Sequence, residues 1–347
     1  MKKFNLTLNK DFKYEELTEG LRGKDINLRF HDSDFMPDFA IVEVKSEEVL
    51  QSINFISEYE ESGVGYLLGR RPELDTSMLI KTVPKPNIEC KDLKDVGLYG
   101  LGVGIAVIDS GYNEEYCGKI EEAENFSSGP NALAHDGHGN IVISIIKKYA
   151  GMAKIYSAKV CQEGNKIDEE SVHRALKWIR GIEGIKLINM SIGFERNCVG
   201  SCNLSRAINK MVDLGYIIFA AIGNDGEKAA RCPACAEKIV AVGGLDPEGN
   251  KVASFSNKGH INGFNKPDLL TSAHGFTYSQ GVPNPYWGTS FAAPILTGIV
   301  GACYPKFISG NIKQTLIDCC TQLVDQPFSK QGNGKFELEK LLEVLHQ

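Results

Sequence analysis

Ser290 stands in Gly288-Thr289-Ser290-Phe291-Ala292-Ala293-Pro294, ahead of the apolar run Ile295-Leu296-Thr297-Gly298-Ile299-Val300-Gly301-Ala302. A serine among small residues at the start of a buried helical pattern meets free N–H groups and the helix dipole, which favour developing negative charge. That setting suits a nucleophile, and it also suits a plain helix cap. His138 lies in Asp136-Gly137-His138-Gly139-Asn140; glycines on both sides let the backbone turn sharply and leave the imidazole approachable, as a general base requires. Asp109 closes the apolar run Gly104-Ile105-Ala106-Val107-Ile108, and Asn224 follows Ala220-Ala221-Ile222-Gly223. A buried carboxylate needs a hydrogen-bonding partner. An asparagine amide facing the serine can donate to an oxyanion, a contact whose loss costs roughly a hundred- to a thousandfold in rate.

These residues need a frame that gathers strand ends. From Val96 onward, strands are expected at 104–108, 153–159, 186–190, 217–221 and 239–242. Helices are expected between and after them at 141–149, 169–180, 204–214, 291–302, 311–322 and 336–345. The alternation predicts an α/β three-layer sandwich with a mainly parallel sheet, whose sites form at the carboxyl ends of the strands. Ahead of it, strands at 4–8, 26–30, 39–44 and 63–68 and a helix over 47–56 predict a small α+β domain. The expected division is 1–77 for that domain, 78–95 for a linking segment and 96–347 for the main domain, with Pro72, Pro84 and Pro86 marking the link.

The 347 residues carry a net charge of -6 and a pI near 5.7. That leaves room for one large and one small domain and gives no electrostatic footprint for nucleic acid or an anionic membrane. The run Ile217-Ile218-Phe219-Ala220-Ala221-Ile222 is too short to span a bilayer, and the first residues lack the apolar stretch of a secretory signal. A cytoplasmic chain is expected, with neither nucleic acid nor membrane as partner and with most of its ten cysteines reduced.

Taken together, Ala106-Val107-Ile108-Asp109-Ser110-Gly111, Gly137-His138-Gly139, Gly223-Asn224 and Gly288-Thr289-Ser290-Phe291-Ala292-Ala293-Pro294 resemble the motifs of the subtilisin-like (subtilase) serine proteases. The order acid, histidine, serine is that family's order. Ser254-Phe255-Ser256-Asn257 and Lys266-Pro267-Asp268 are similar to further family landmarks. The resemblance implies a subtilisin-like fold and a serine endopeptidase that acts on peptides or proteins through an acyl-enzyme, with no cofactor required for catalysis. It implies that Ser290 attacks, His138 transfers the proton, Asp109 orients the imidazole and Asn224 holds the oxyanion. It further implies that Ser191, Ile192 and Gly193 hold the substrate as an added strand, with Ala220, Ala221, Ile222 and Gly223 walling the pocket before the scissile bond. The N-terminal unit resembles the family's propeptide, an intramolecular chaperone and inhibitor, with a cut expected near residues 77–79.

The chain departs from the family in three places. Asn140-Ile141-Val142 follows the histidine motif, where threonine and a second histidine are usual. Ile145 to Ala153 leads almost directly into the next strand, where many subtilases carry a calcium loop, so that calcium site is expected to be absent. Cys198 and Cys202 follow the substrate strand, and Cys232 and Cys235 lie where the family places the pocket floor. Structural zinc, disulfides and free thiols are the states open to these four. Glu195, Arg196 and Arg231 put charge near the pocket. Alternatives to hydrolysis are a macrocyclising relative, or a non-catalytic zinc-stabilised peptide-binding module on the same fold.

Overall fold

The computed structural model describes residues 1–68, 90–129, 137–162, 165–196, 198–261, 264–279, 282–307 and 310–346. Its main sheet begins with β6 (Gly104–Asp109), a strand buried along its whole length. Ile105 and Val107 pack on one side, Ala106 and Ile108 on the other. That period of two, apolar on both faces, is what a strand covered by helices on each side must have. β7 (Glu122–Asn125), β8 (Lys154–Lys159), β10 (Ile185–Met190), β12 (Ile217–Ala221) and β13 (Val240–Leu245) extend the sheet, and the strand Leu269–Ser272 follows β13. Across the sheet the order is Leu269–Ser272, β13, β12, β10, β6, β8, β7, all parallel. The short strands Lys335–Phe336 and Cys320–Thr321 complete the edge, the last one antiparallel.

Helices His138–Tyr149 and Thr289–Cys303 cover one face, and Glu169–Arg180 and Asn203–Asp213 the other. The result is the α/β three-layer sandwich with its mainly parallel sheet. The helix expected over 311–322 stops at Asp318, because Cys320 and Thr321 pair with Phe336 and Lys335 instead.

The N-terminal unit is an antiparallel sheet of β1 (Lys2–Leu8), β2 (Ile26–Asp32), β3 (Met36–Val44) and β4 (Ile56–Glu61), in the order β2, β3, β1, β4. Its own core holds Phe4, Leu6, Leu17, Val42 and Leu50 on one face. The other face presents Phe30, Phe39 and Ile41 to Val172, Leu176 and Ile179 of the helix Glu169–Arg180. Each large apolar side chain buried this way contributes roughly 1.5–3 kcal/mol. Lys3 with Asp168 and Glu170, Arg180 with Asp32, and Arg206 with Asp38 ring the contact. The helix expected over 47–56 shrinks to Glu48–Gln51; residues 52–55 turn the chain, and β4 begins at Ile56, which pairs with Leu8 of β1.

The strand expected at 63–68 forms, as β5 (Val64–Leu67), but not within the N-terminal sheet. It lies between β9 (Lys166–Asp168) and β11 (Ile192–Phe194), antiparallel to both, in a separate three-stranded sheet. Expected boundaries at 77 and 78, and the cut expected near 77–79, fall outside the described residues.

Candidate active site

β12, β10 and β6 are neighbours, and their carboxyl ends deliver Gly223-Asn224, Ser191 and Asp109 to one edge of the sheet. Asp109 is buried, and its Oδ1 accepts from His138 Nδ1 at 2.8 Å and from Ser110 N at 2.7 Å. Gly139 makes this approach possible. A methyl group there would lie 2.1 Å from the Gly111 carbonyl oxygen. Gly137, at φ 73°, supplies the left-handed turn that starts the histidine helix.

Ser290 enters from the first turn of the helix Thr289–Cys303, after Gly288 at φ 134°. Its Oγ donates to the Ser191 carbonyl at 3.2 Å, and Ser191 Oγ donates back to the Ser290 carbonyl at 2.8 Å. The next residue, Phe291, packs its ring 5.3 Å from that of His138, so imidazole and serine helix meet at the same place. Asn224 is fixed through its carbonyl end: Oδ1 accepts from Thr289 N at 2.8 Å and from Thr289 Oγ1 at 2.9 Å. Its amide is thereby aimed outward, and Nδ2 donates to the carbonyl of Leu68.

The cleft is therefore filled by the chain itself. Leu67, Tyr66 and Gly65 pair with Ile192, Gly193 and Phe194, and Leu68 N donates to the Ser191 carbonyl at 3.3 Å. Leu68 is buried against Gly193, whose missing side chain leaves room for the Leu68 methyl groups and for the stem of Arg231. Arg231 forms a two-pronged pair with Asp225, Nε to Oδ2 at 2.6 Å and Nη2 to Oδ1 at 2.8 Å. Partial burial pushes the Asp225 carboxyl up, but the bond and charge of Arg231, with Asn257 and Lys228, together outweigh it and hold the group below its usual range. The charge expected near the pocket is thus paired, and an apolar side chain can sit on the arginine stem. A hollow of about 750 Å³, lined by Phe194, Glu195, Asp225, Arg231 and Asn257 among others, shares that arginine.

Of the expected pocket residues, Ser191, Ile192 and Gly193 contact the bound strand, whereas the side chains of Ala220, Ala221 and Ile222 belong to the cores on the two sheet faces. Gly223 N donates to Thr289 Oγ1 at 3.2 Å and so supports Asn224. Asn257 braces the same loop: it accepts from Asp225 N at 2.5 Å and donates to the Ala229 carbonyl at 2.9 Å. Leu68, Thr289 and Asp225 were not singled out from sequence. Only the serine motif and Gly223-Asn224 pointed near them. Cys198, Cys202 and Cys232 place their sulfurs within 4.8 Å of one another, and the cluster could hold a metal ion.

A buried acid–histidine pair, a serine at a helix N-terminus and an amide donor are gathered at the carboxyl ends of parallel strands, an arrangement that suits a serine hydrolase. The sequence model of the subtilase family matches residues 100–334, and the chain belongs to this family of subtilisin-like serine endopeptidases. It is 29% identical over 255 residues to the thermostable alkaline protease of Halalkalibacterium halodurans, covering 69% of this chain and 67% of that relative. Against subtilisin DY of Bacillus licheniformis it is 26% identical over 276 residues, covering 73% and 96%. In fold it is similar to fervidolysin from Fervidobacterium pennivorans, described as a keratinolytic enzyme related to subtilisin, with a TM-score of 0.75 at 15% identity. That likeness takes in 99% of this chain, which spans 61% of the fervidolysin chain.

Proposed function

We propose that this chain hydrolyses peptide bonds through Ser290, His138 and Asp109, and that its first substrate is its own bond after Leu68. Ser290 Oγ adds to the carbonyl carbon as His138 takes its proton, and Asp109 holds the imidazole in the right tautomer and stabilises the imidazolium. Asn224 Nδ2 and the helix N-terminus carry the oxyanion. The C–N bond then breaks, the amine leaves with the proton from His138, and water releases the acyl group as a carboxylic acid. The observation that carries this reading is the bond from Asn224 Nδ2 to the Leu68 carbonyl, made while Leu68 N is bonded to Ser191. A carbonyl so held lies where an oxyanion would develop.

Three further elements belong to the reading. Peptides or proteins are the substrates in trans; the N-terminal unit blocks the cleft until it leaves; and the chain works in the cytoplasm, where its cysteines stay reduced. Mass spectrometry of the purified chain tests the first step. Wild type is expected to yield a fragment beginning at Gly69, and Ser290→Ala to remain whole. An intact wild type that still labels at Ser290 with a fluorophosphonate and digests peptides removes the self-cleavage. An unlabelled, inactive one removes the peptidase reading itself. Recovery of the chain outside the cytoplasm on cell fractionation ends the proposed location.

A further inference from the structure

The loop that leaves β11 carries Cys198 and Cys202, and the turn that holds Arg231 against the bound strand carries Cys232 and Cys235. These two segments come together. Cys202 Sγ lies 3.5 Å from Cys232 Sγ, and Cys235 Sγ lies 3.3 Å from Cys198 Sγ. Ser205 Oγ sits 3.4–3.6 Å from all four sulfurs. Four thiolates around one zinc at about 2.3 Å stand about 3.8 Å apart; Cys198, Cys202 and Cys232 keep their sulfurs within 4.8 Å of one another, and Cys235, 3.3 Å from Cys198, closes the set once its side chain turns toward the other two.

The surroundings fit a charged metal–thiolate group. Gly200 N donates to Cys198 Sγ at 3.3 Å, and Ser205 N to Cys202 Sγ at 3.5 Å, from the first turn of the helix that Cys202 caps. Such N–H bonds orient thiolate ligands and spread their charge. Arg196 and Arg206 line the same hollow as Cys198 and Cys202, together with Glu58 and Glu60, and that hollow gives a path to the site. Cys232 and Cys235 are closed to solvent. Soft sulfur ligands in a closed four-coordinate set select zinc over the hard, oxygen-seeking calcium and magnesium.

We propose that Cys198, Cys202, Cys232 and Cys235 bind one zinc ion, and that the ion clamps the two segments that shape the substrate cleft. On binding, four thiols release four protons to solvent and four sulfur–zinc bonds form, so the group carries two negative charges; no oxidant or reductant is needed. The clamp reaches substrate through short links. Phe194 N donates to the Cys232 carbonyl at 2.7 Å, Arg231 N donates to the Ile222 carbonyl at 3.0 Å, and the Arg231 stem rests on Gly193 beside Leu68.

The test uses the full-length Ser290→Ala chain, which cannot cut itself, so that metal content is read independently of activity. Elemental analysis is expected to find about one zinc per chain, and cobalt exchanged into the site to give a sulfur-to-cobalt charge-transfer band. Cys232→Ser with Cys235→Ser should lose the zinc, and Cys320→Ser should keep it. Stripping the wild-type metal with a chelator should lower the melting temperature by roughly 5–10 °C. It should also raise KM for peptides with leucine before the scissile bond, and added zinc should reverse both. A metal-free chain whose four thiols all react with a thiol reagent overturns the proposal. So does a mass four protons short, the mark of two disulfides, or iron in place of zinc.

Discussion

The side-chain amide of Asn224 donates a hydrogen bond to the backbone carbonyl of Leu68, while Thr289 holds the other end of the same amide. On the reading proposed above, this one contact accounts both for the stabilisation of an oxyanion and for the choice of the bond to be cut. Asn224→Ala is therefore expected to lower kcat on a peptide substrate by a hundred- to a thousandfold with little change in KM, since the donor acts mainly on the developing charge. Steady-state kinetics of the cut enzyme check this, and a change confined to KM would contradict the role.

Gly65 is the fourth residue before the proposed cut, and it pairs with Phe194. A methyl group on Gly65 would lie 2.8 Å from the Phe194 ring, closer than a side chain can stand without displacing that ring. Peptides ending Gly-Tyr-Leu-Leu before the scissile bond should be cut faster than the same peptides with valine in place of the glycine, by roughly tenfold or more. Phe194→Ala should narrow that gap. Equal rates on the two peptides in the wild type would show that the cleft does not read this position.

Leu68 sits on Gly193 beside an arginine whose charge is already satisfied by Asp225. Asp225→Ala leaves Arg231 with only its longer contact to the exposed Glu195, at 3.8 Å, so an acidic side chain before the scissile bond should gain in kcat/KM relative to leucine, by roughly tenfold. A peptide-library profile that does not change on this substitution would place Arg231 outside the specificity pocket.

Glu169 gathers both units: its Oε2 accepts from Asn5 Nδ2 at 3.0 Å and from Gly63 N at 3.2 Å, and Arg196 pairs with it. Burial works to raise this carboxyl, but His173 and Arg196 prevail and hold it at about 2, against an ordinary value of 4.5. A depressed carboxyl stabilises the fold fully above the ordinary value and loses that contribution as pH falls from 4.5 toward 2. The loss amounts to roughly 3 kcal/mol if the whole shift is realised. Thermal unfolding of Ser290→Ala across this window should steepen toward acid, and Glu169→Gln should cost stability at neutral pH and flatten that limb. An unaltered acid limb in the Glu169→Gln chain would sink the assignment.

The parts of the site that were legible in sequence are those set by local chemistry. β6 is apolar throughout because both its faces are covered, and its end is marked by Asp109. Gly139 follows His138 because the backbone of the histidine helix must approach Gly111, and Gly137 precedes it because the helix starts from a left-handed turn. Partnership between distant segments was less legible. Val64 to Leu67 reads as a strand by alternation, yet alternation does not say which edge it joins, and its hydrogen bonds go to β9 and β11 rather than to the sheet just before it in the chain. Likewise 47–56 has a helical period, but only Glu48–Gln51 is helical, and the chain turns over 52–55 to enter β4 at Ile56. The cysteines were visible as two close pairs, and only the fold brings Cys202 to Cys232.

The N-terminal unit grips the rest of the molecule at two separated places, the face of its sheet on the helix Glu169–Arg180 and the strand β5 in the cleft. After a cut at Leu68 it would be a two-handed ligand. Loss of either grip leaves the other holding the fragment at high effective concentration near the vacated site, so the first recaptures readily. Escape then depends on the product of two weak releases, and a protease that trims one hand would free the cleft far faster than dilution alone.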